Sequence, residues 1–406
     1  GYERDLLLLH TGGGVMTPAS VKDFAARLAG SGIAAGAIAS RFIGNLCGFD
    51  NSIGFDMGGT STDVSLVYEG KSRVTKDWYI EYGYPIRFPS IEVLTIGAGG
   101  GSLAHIDSMR QIRVGPESAG SEPGPACYGR GGDKPAVTDA DLVLGKLNPD
   151  NFAGGSIQLH ADSSADALVN VLGKTLDMDA QTAAFGLAEV VDENMANAAR
   201  VHAVENGEDL SEYTMIAFGG AAPLHAGRLC EKLGVDRLLV PTGAGVGSAI
   251  GFLRAPFSFE ANRSVYMKLS DFKPDVIKSL LTELQDEATG FVRSCDATSD
   301  IISEFKVYMR YTGQGWEIPI SLSAEQAMLP DADTFLKLFE ADYSALFGRT
   351  VDGMDVEITV WSVNATTPPE QVAQIALAPD KGAATVAGQR ALFDPALATV
   401  TDAQVV

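Results

Sequence analysis

The segment GFDMGGTSTDVS, residues 54–65, places an acid, two glycines and a run of hydroxyl side chains directly after an apolar, strand-like stretch. Gly58 and Gly59 would let a ligand approach the backbone, whose successive N–H groups form an anion-binding nest. Asp56 suits Mg²⁺, because that ion takes oxygen ligands and bridges phosphate oxygens. A plain glycine turn capped by a hydroxyl group is the alternative. The candidate phosphate loop comprises Gly58, Gly59, Thr60, Ser61, Thr62 and Asp63.

A second glycine pair, in Phe218-Gly-Gly-Ala-Ala-Pro223, follows a predicted strand at 214–218 and begins a predicted helix. Backbone N–H groups and the dipole at a helix start favour negative charge. The pair also leaves a flat surface on which a purine could lie, although a plain β–α turn has the same pattern. This loop is not the GxGxxG of a dinucleotide fold, and no GxxxxGK[ST] occurs. The candidate adenosine residues are Gly219, Gly220 and Ala221.

A third glycine-rich segment, GAGGGS at 97–102, offers Gly99 and Gly100 as a further anion nest, with a flexible turn as the alternative. His105 and Asp107 follow it. They are two residues apart in an extended stretch and therefore share one face. Such a pair can coordinate a metal ion or relay a proton, although a histidine with an ordinary structural partner is equally compatible with the pattern.

Two further acids begin a predicted helix in VTDADLVLG, at Asp139 and Asp141. One of them is expected to cap the helix. Asp139 is the candidate for a carboxylate that faces Mg²⁺ or substrate. His225 either contacts a nucleotide or packs beneath it. Cys127 is expected to be a structural thiol, because only Arg130 lies near enough in sequence to activate it.

The composition excludes several classes of partner. The chain has 406 residues, of which 46% are hydrophobic and 20% charged, and its formal net charge is −22. Such a balance repels nucleic acid and anionic membranes, so a polyanionic ligand must be held by local backbone donors and a metal ion. No apolar run reaches the ~18 residues of a membrane span. With four widely spaced cysteines and no signal peptide, we expect a cytoplasmic protein with reduced thiols.

The predicted elements follow an α/β order up to about residue 256. Segments 53–56 and 64–68 flank the phosphate loop as a hairpin, and a long helix is predicted over 183–204. A strand–loop–helix–strand unit follows at 214–240. Residues 97–132 are so rich in glycine and proline that they predict a long structured loop, which in a compact domain is usually functional.

The pattern of predicted strands and helices changes near residues 257–262. We therefore predict one domain over 1–257 and a smaller α+β domain over 258–406. The stretch after 366 is expected to be loop-like, with its last turns paired to the body of the protein. At the other end, Leu6–Leu9 reads as a buried strand, and a sequence that opens within a strand suggests a fragment of a longer protein.

The chain resembles the hydantoinase A / 5-oxoprolinase / acetone carboxylase β family, which belongs to the actin-like ATPase superfamily. The resemblance covers roughly residues 4–256, and RYTGQGWEI at 310–318 is similar to the family's C-terminal domain. It departs at LAGSGIAAGAIAS, where the family typically has Ser-Gly-Pro. It rests on GFDMGGTSTDVSLV, EVLTIGAGGGSLAHID, VGPESAGSEPGPACYGRGG, VTDADLVLGKLNP and IAFGGAAPLHAGRLCEKLGVDRLLVPTGAGVGSAIGFL.

This resemblance implies an actin-like ATPase fold that binds ATP and Mg²⁺, with Asp56 and Asp139 as metal ligands and His105 and Asp107 as further catalytic candidates. The implied reaction is ATP-dependent opening of a hydantoin, 5-oxoproline or another lactam. ATP-dependent carboxylation of a ketone is the alternative, and a non-catalytic ATPase switch is the second alternative. The family's first domain, with its own Asp-x-Gly-Gly-Thr loop, is missing here. A hydantoinase B-like partner in a hetero-oligomer is also implied.

Overall fold

The computed structural model describes residues 6–76, 78–80, 84–86, 88–368 and 386–405. By its contacts the chain forms two compact units that interleave along the sequence. The small unit comprises Gly1–Ser31, Lys76–Ser90 and Ala255–Gln371, and the large unit comprises Gly32–Thr75, Ile91–Arg254 and Val372–Val406. The chain leaves the large unit after Arg254, close to the boundary expected at 257. The assignment of two consecutive domains stays a prediction.

The elements of both units are numbered along the chain. The α-helices are α1 (Pro18–Phe24), α2 (Ser31–Cys47), α3 (Val137–Val143), α4 (Ala161–Leu168), α5 (Lys174–Leu176), α6 (Ala180–Asn206), α7 (Ala222–Leu233), α8 (Gly247–Arg254), α9 (Pro274–Cys295), α10 (Ala324–Met328) and α11 (Ala332–Phe347).

The strands are β1 (Leu8–Leu9), β2 (Val15–Met16), β3 (Ser52–Met57), β4 (Thr62–Tyr68), β5 (Lys71–Ser72), β6 (Val74–Thr75), β7 (Trp78–Ile80), β8 (Tyr84–Ile86), β9 (Ser90–Ile91), β10 (Val93–Ile96), β11 (Ser102–Ile106), β12 (Ile112–Ser118), β13 (Thr214–Phe218), β14 (Arg237–Leu239), β15 (Ser258–Arg263), β16 (Met267–Lys268), β17 (Ile302–Tyr311), β18 (Ile318–Leu322), β19 (Val356–Thr366), β20 (Gly388–Asp394) and β21 (Thr399–Val405).

A mixed sheet forms the centre of the large unit, in the order β10-β4-β3-β13-β14, with β5 on β4. Strands β3 and β4 pair as an antiparallel hairpin, which confirms the predicted hairpin around the phosphate loop. Strand β13 runs parallel to both β3 and β14. Because β3 and β13 are parallel neighbours, the loops that follow them leave the same edge of the sheet. The topology therefore brings two glycine loops together.

Helix α6 supplies much of the core beside this sheet. It begins where Asp179 accepts a hydrogen bond from the Thr182 N–H at 2.7 Å, and it ends at Gly207, whose φ of 71° is left-handed. Leu187, Val191 and Met195 recur at spacings of four and are fully buried. The helix predicted over 183–204 is confirmed, with about one further turn in all.

Two predictions from the glycine-rich and leucine-rich segments were wrong in part. The stretch 97–132 is not loop throughout, since β11 and β12 form an antiparallel hairpin within it. The glycines and prolines in and around these two short strands interrupt the alternating apolar pattern by which a strand is predicted. Of the buried strand predicted at Leu6–Leu9, only Leu8 and Leu9 form a strand. Leu6 and Leu7 are exposed. Apolar composition alone does not fix burial.

The small unit is an antiparallel sheet in the order β15-β19-β17-β18, with β16 on β19. Helices α9 and α11 pack on it. Trp361 is fully buried at its centre, and the indole N–H donates to the Val265 carbonyl at 2.8 Å. The small unit thus has the α+β character predicted for this part of the sequence. Residues 369–385 of the predicted loop-like stretch lie outside the described residues.

The last two strands, β20 and β21, form a hairpin that belongs to the large unit. The Phe393 ring lies 5.0 Å from the Phe185 ring, and the Phe393 N–H donates to the Leu144 carbonyl at 2.9 Å. The expected pairing of the last turns with the body is thus observed. Among the described helices, none is both long and apolar enough to cross a bilayer.

Candidate functional site

The phosphate loop is the turn of the β3–β4 hairpin, and two other glycine loops bind directly to its backbone. The N–H groups of Gly100 and Gly101 donate to the carbonyls of Gly58 and Gly59 at 2.9 and 2.6 Å. A Cβ atom added at Gly99 would lie 2.6 Å from the Thr60 nitrogen. Glycine is therefore required at position 99 for the two loops to pack this closely.

The third glycine loop joins the same backbone from β13. The Ala221 N–H donates to the Met57 carbonyl at 2.9 Å. Gly219 has a φ of +93°, and a Cβ atom there would lie 2.4 Å from Asp56 Oδ1. Thus three loops that are far apart in sequence converge at one end of the hairpin, as expected from the parallel pairing of β3 and β13.

A cavity of about 470 Å³ opens beside these loops. Six of the predicted ligand-binding residues line it: Gly58, Gly59, Thr60, Gly100, Gly220 and Ala221. A Cβ atom added at Gly58, Gly59 or Gly220 would meet no protein atom within 4 Å. The fold does not require glycine at these three positions, so their bare backbone leaves room that a ligand can occupy. A phosphate group fits this surface.

The remaining walls come from side chains that the sequence analysis did not assign to the binding site, although some lie in segments that it singled out. Leu147, Phe152, Ile157 and Leu224 form an apolar wall. The polar lining side chains are Ser118, Ser121, Tyr128, Arg130, Thr138 and Asp141. The repeated glycines and prolines of 115–131 were the available signal for part of this wall, because they indicated a functional loop without specifying its side chains.

Asp56 lies at the end of β3, opposite Asp63 on β4. Its Oδ2 accepts a hydrogen bond from Ser248 Oγ at 2.6 Å, and Asp63 accepts one from Thr95 at 2.6 Å. Burial raises the pKa of both carboxyl groups, and the charge of Asp63 raises that of Asp56 further. Two facing carboxylates with raised pKa values suit a cation, which would relieve their repulsion.

A metal site made of protein ligands alone is absent from the described residues, since no group of three or more His, Cys, Asp or Glu side chains is placed to hold an ion. Mg²⁺ at nucleotide sites commonly takes only one or two carboxylates, with phosphate oxygens and waters as its other ligands. Asp56 does not itself line the cavity, but it lies two residues before the lining residue Gly58, at the end of β3. Its carboxylate fits a Mg²⁺ ion held at the phosphate loop, and Asp63, its partner in the hairpin, offers a second carboxylate.

The second predicted metal ligand, Asp139, has a structural function. Both of its oxygens are saturated: they accept from the N–H groups of Ala126, Cys127 and Ala136 and from the Ser164 hydroxyl, at 2.7–3.1 Å. The side chain is fully buried and does not line the cavity. These contacts cap the start of α3 and fix the loop at 126–127, so we do not retain Asp139 in the proposed site.

The predicted pair His105 and Asp107 lies on the β11–β12 hairpin and does not line the cavity. Asp107 accepts from the Met109 and Gln111 N–H groups and from the Arg113 side chain. The Gln111 bond is the largest of the causes that lower the pKa of this carboxyl. His105 is exposed. Asp107 therefore stabilises the turn of this hairpin, and we propose no chemistry for either residue.

Five other predicted phosphate or nucleotide residues do not line the cavity: Ser61, Thr62, Asp63, Gly99 and Gly219. Thr62 is buried, and its hydroxyl donates to the Ala98 carbonyl at 2.5 Å. It therefore ties the phosphate loop to the 97–102 loop rather than facing a ligand. Gly219 likewise lies behind the cavity, against Asp56.

A buried cluster of four charged groups joins α3, α6 and α7, and one of its members, Asp141, lines the cavity. Asp141 lies 3.0 Å from Lys146 Nζ and 3.2 Å from His225 Nε2, and His225 Nδ1 lies 2.7 Å from Asp192. Burial opposes ionisation of His225, but the charge of Asp141 and hydrogen bonds to both aspartates outweigh it and raise the pKa to about 9. Burial also opposes ionisation of Asp141, yet His225 and Lys146 hold its pKa well below its usual range.

The sequence matches the model of the hydantoinase/oxoprolinase family over residues 1–261, which is more than half of the chain. The chain belongs to the hydantoinase/oxoprolinase family. The three converging glycine loops and the cavity all lie within the matched region.

Relatives of this chain belong to enzymes that catalyse different reactions. The chain is 32% identical to caprolactamase subunit alpha from Pseudomonas jessenii over 88% of its own length and 52% of that protein. It is 27% identical to acetone carboxylase beta subunit from Xanthobacter autotrophicus over 89% of its own length and 51% of that protein. The chain thus spans about half the length of these relatives, which are subunits of larger enzymes.

Two solved structures show the same architecture. The ATP-dependent caprolactamase from Pseudomonas jessenii superposes with a TM-score of 0.79 at 30% identity, over 98% of this chain and 58% of that one. Nucleotide-free acetone carboxylase, an enzyme of ATP-dependent acetone carboxylation, gives a TM-score of 0.76 at 25% identity, over 100% of this chain and 58% of that one. The hydantoinase/oxoprolinase chain described here therefore has the actin-like ATPase fold.

Proposed function

We propose that this chain is part of an ATP-dependent hydrolase that activates the carbonyl of a cyclic amide before ring opening. The observation that carries the proposal is the cavity, where three glycine loops with bare backbone adjoin an apolar wall. The glycine loops suit the phosphates of a nucleotide, and the apolar wall suits an organic ring. One cavity would thus bring both reactants together.

A cyclic amide resists hydrolysis because its carbonyl oxygen and its nitrogen are poor leaving groups. ATP, when bound, supplies the phosphoryl group that turns the carbonyl oxygen into a good leaving group. The residues of this chain bind and orient. The Gly58 N–H donates to the Ser61 carbonyl at 3.1 Å and closes the turn, so the backbone N–H groups of Gly59 and Thr60 hold phosphate oxygens, and Asp56 would hold Mg²⁺. The apolar wall excludes water from the reacting atoms.

The ketone carboxylase reaction is the second candidate, and the comparisons favour it directly through the acetone carboxylase beta subunit. In that reaction ATP would activate the carbonyl oxygen of a ketone, placed in the cavity where the carbonyl of a cyclic amide would otherwise lie. A switch ATPase without a second substrate is less consistent with this site, because the apolar wall extends beyond the glycine loops. In the two enzymatic readings, we propose that a hydantoinase B-like subunit completes the reaction, since the relatives are subunits of larger enzymes.

The test uses the full-length protein together with its partner subunit. ADP release is measured with Mg·ATP and either a cyclic amide (hydantoin, 5-oxoproline or ε-caprolactam) or bicarbonate with a ketone. We expect at least one cyclic amide to accelerate ADP release by about tenfold or more, that is ~1.4 kcal/mol at the barrier. Acceleration only by ketone with bicarbonate would favour the carboxylase, and none by either would contradict both enzymatic proposals.

A further inference from the structure

Among the described residues that line the cavity, Asp141 is the one carboxylate. It reaches the cavity from α3, and its side chain is only 2% exposed. A carboxylate this deep is unfavourable unless charged partners surround it. Lys146 and His225 are those partners, each within 3.2 Å. The carboxylate is therefore kept ionised at a wall that is otherwise largely apolar.

The partners leave Asp141 with unused capacity to accept hydrogen bonds. An ionised carboxylate offers about four lone-pair sites. Oδ1 is inaccessible and lies against Lys146, so Oδ2, which takes one hydrogen bond from His225, is the oxygen with a remaining site for a ligand. Asp192 fixes the imidazole from the far side, so the ring cannot rotate away without losing a buried bond. The acceptor is thus rigid, which favours recognition of a donor at one defined position.

The neighbouring groups offer a ligand no comparable buried charge. Thr138 donates its hydroxyl to the Gly100 carbonyl at 2.7 Å. Arg130, the one cation that lines the cavity among the described residues, is exposed, donates to the Ser121 carbonyl and lies over the Tyr128 ring. A ligand that carries a carboxylate could pair with this exposed guanidinium alone, and its charge would be repelled by Asp141.

We propose that Asp141 accepts a hydrogen bond from the ring N–H of an uncharged cyclic amide, whose methylenes pack on Leu147, Phe152 and Ile157. This assignment rests on the proposed function and narrows its substrate class: a lactam with a free N–H and no ring carboxylate. The N–H and the carbonyl of a cyclic amide lie side by side. Holding the N–H at one wall therefore orients the carbonyl oxygen within the same cavity as the phosphate loop.

The first test needs no variant. Calorimetry is used to titrate ε-caprolactam, cycloheptanone and 5-oxoproline into the full-length protein with its partner. Cycloheptanone has the same ring size and carbonyl but no N–H. A hydrogen bond to a charged group is worth a factor of about ten or more, so we expect cycloheptanone to bind at least about tenfold more weakly. Equal affinity for the lactam and the ketone overturns the assignment, and so does preference for 5-oxoproline.

The second test compares Asp141→Asn with Asp133→Asn, a matched control at an exposed position that does not line the cavity. We expect Asp141→Asn alone to weaken lactam binding by about tenfold or more while ATP affinity stays within about twofold. Unchanged lactam affinity in a folded Asp141→Asn protein overturns the assignment. If that variant fails to fold, the ligand series still decides.

The two proposals can fail separately. Preferential binding of the lactam without any ADP release contradicts the hydrolase and leaves the N–H anchor standing. If the lactam stimulates ADP release but lactam and ketone bind equally well, the hydrolase proposal stands and the N–H anchor is contradicted.

Discussion

At the residue scale, adjacent glycines in the third loop have different physical reasons to be glycine. A Cβ at Gly219 would collide with Asp56, whereas a Cβ at Gly220 would enter empty cavity. Substitution at 219 should therefore harm folding, and substitution at 220 should harm ligand binding. This contrast separates the requirements of the fold from those of the ligand.

We expect Gly220→Val to weaken ATP binding by about tenfold or more, because the added side chain fills space beside the glycine loops. The matched control is Gly227→Val, which lies in α7, has equally open surroundings and does not line the cavity. Calorimetry with Mg·ATP on the full-length protein measures the affinity, and circular dichroism verifies folding. Equal ATP affinity in the two folded variants would place the nucleotide elsewhere.

Asp56→Asn should reduce the dependence of ATP affinity on Mg²⁺. The change removes a negative charge that is held near Asp63 and suits a cation. We expect the gain in affinity from adding Mg²⁺ to shrink about tenfold or more. Asp50→Asn, at an exposed position before β3, is the control. A full Mg²⁺ effect in the Asp56 variant would remove this residue from the metal site.

The charge of His225 predicts a loss of stability in mild alkali. Its pKa is about 9 in the folded protein and near 6.5 when unfolded. Between these values only the folded state holds the proton, so the unfolding free energy falls as pH rises toward 9. Asp141, Asp192 and Lys146 are the other charged groups at this cluster. The pKa of Asp141 is lowered and that of Lys146 is raised, so neither group changes charge in this range. We expect the free energy of unfolding, measured with urea, to decrease by about 2 kcal/mol over this pH range. A folded His225→Gln protein should lack it; an identical slope would disprove the assignment.

The glycine loops at the cavity were identified from the sequence more accurately than the carboxylate that lines it, and the reason is geometric. A glycine pair after a strand carries its own local signal. Asp139 and Asp141, by contrast, are two residues apart in α3, so they point in roughly opposite directions around the helix. Asp139 caps the helix start, and Asp141 reaches the cavity. Local spacing does not indicate which of the two faces the cavity, because that depends on where α6 and α7 pack.

At the scale of elements, the C-terminal hairpin β20–β21 contributes to the stability of the large unit. Phe393 packs on Phe185 and the surrounding core, although it is only partly buried. Phe393→Ala should lower the unfolding free energy by about 1–3 kcal/mol, less than for a fully buried phenylalanine. Leu397→Ala, in the exposed turn of the same hairpin, is the control and should stay within about 0.5 kcal/mol. Equal urea midpoints for the two variants would show that the hairpin does not stabilise the unit.

The predicted helices and strands were mostly correct because their apolar spacing is local, as in α6. The hairpin β11–β12 and the apolar wall were missed for a different reason. Leu147, Phe152 and Ile157 show no spacing that distinguishes a ligand wall from a core. They become a wall only because the fold brings them to the same cavity as the glycine loops.

At the scale of the whole molecule, the length of the relatives sets an expectation for nucleotide affinity. In actin-like ATPases the nucleotide lies between two lobes, and this chain spans 52% of caprolactamase subunit alpha. We expect the 406-residue chain alone to bind Mg·ATP at least about tenfold more weakly than that complete subunit, because fewer groups surround the phosphates. Calorimetry on both proteins measures this. Equal affinity would show that the residues of this chain make all the important nucleotide contacts.

The backbone hydrogen bonds that join the three glycine loops also bear on how the family diversifies. Met57, Gly58 and Gly59 accept from Ala221, Gly100 and Gly101 through main-chain atoms only. No side-chain substitution elsewhere in the cavity alters these bonds directly. On the proposed function, mutations in the apolar wall would change which organic molecule is accepted and leave the proposed nucleotide-binding surface intact. That separation would let one scaffold give rise to lactam-opening and ketone-carboxylating descendants by changes confined to one wall.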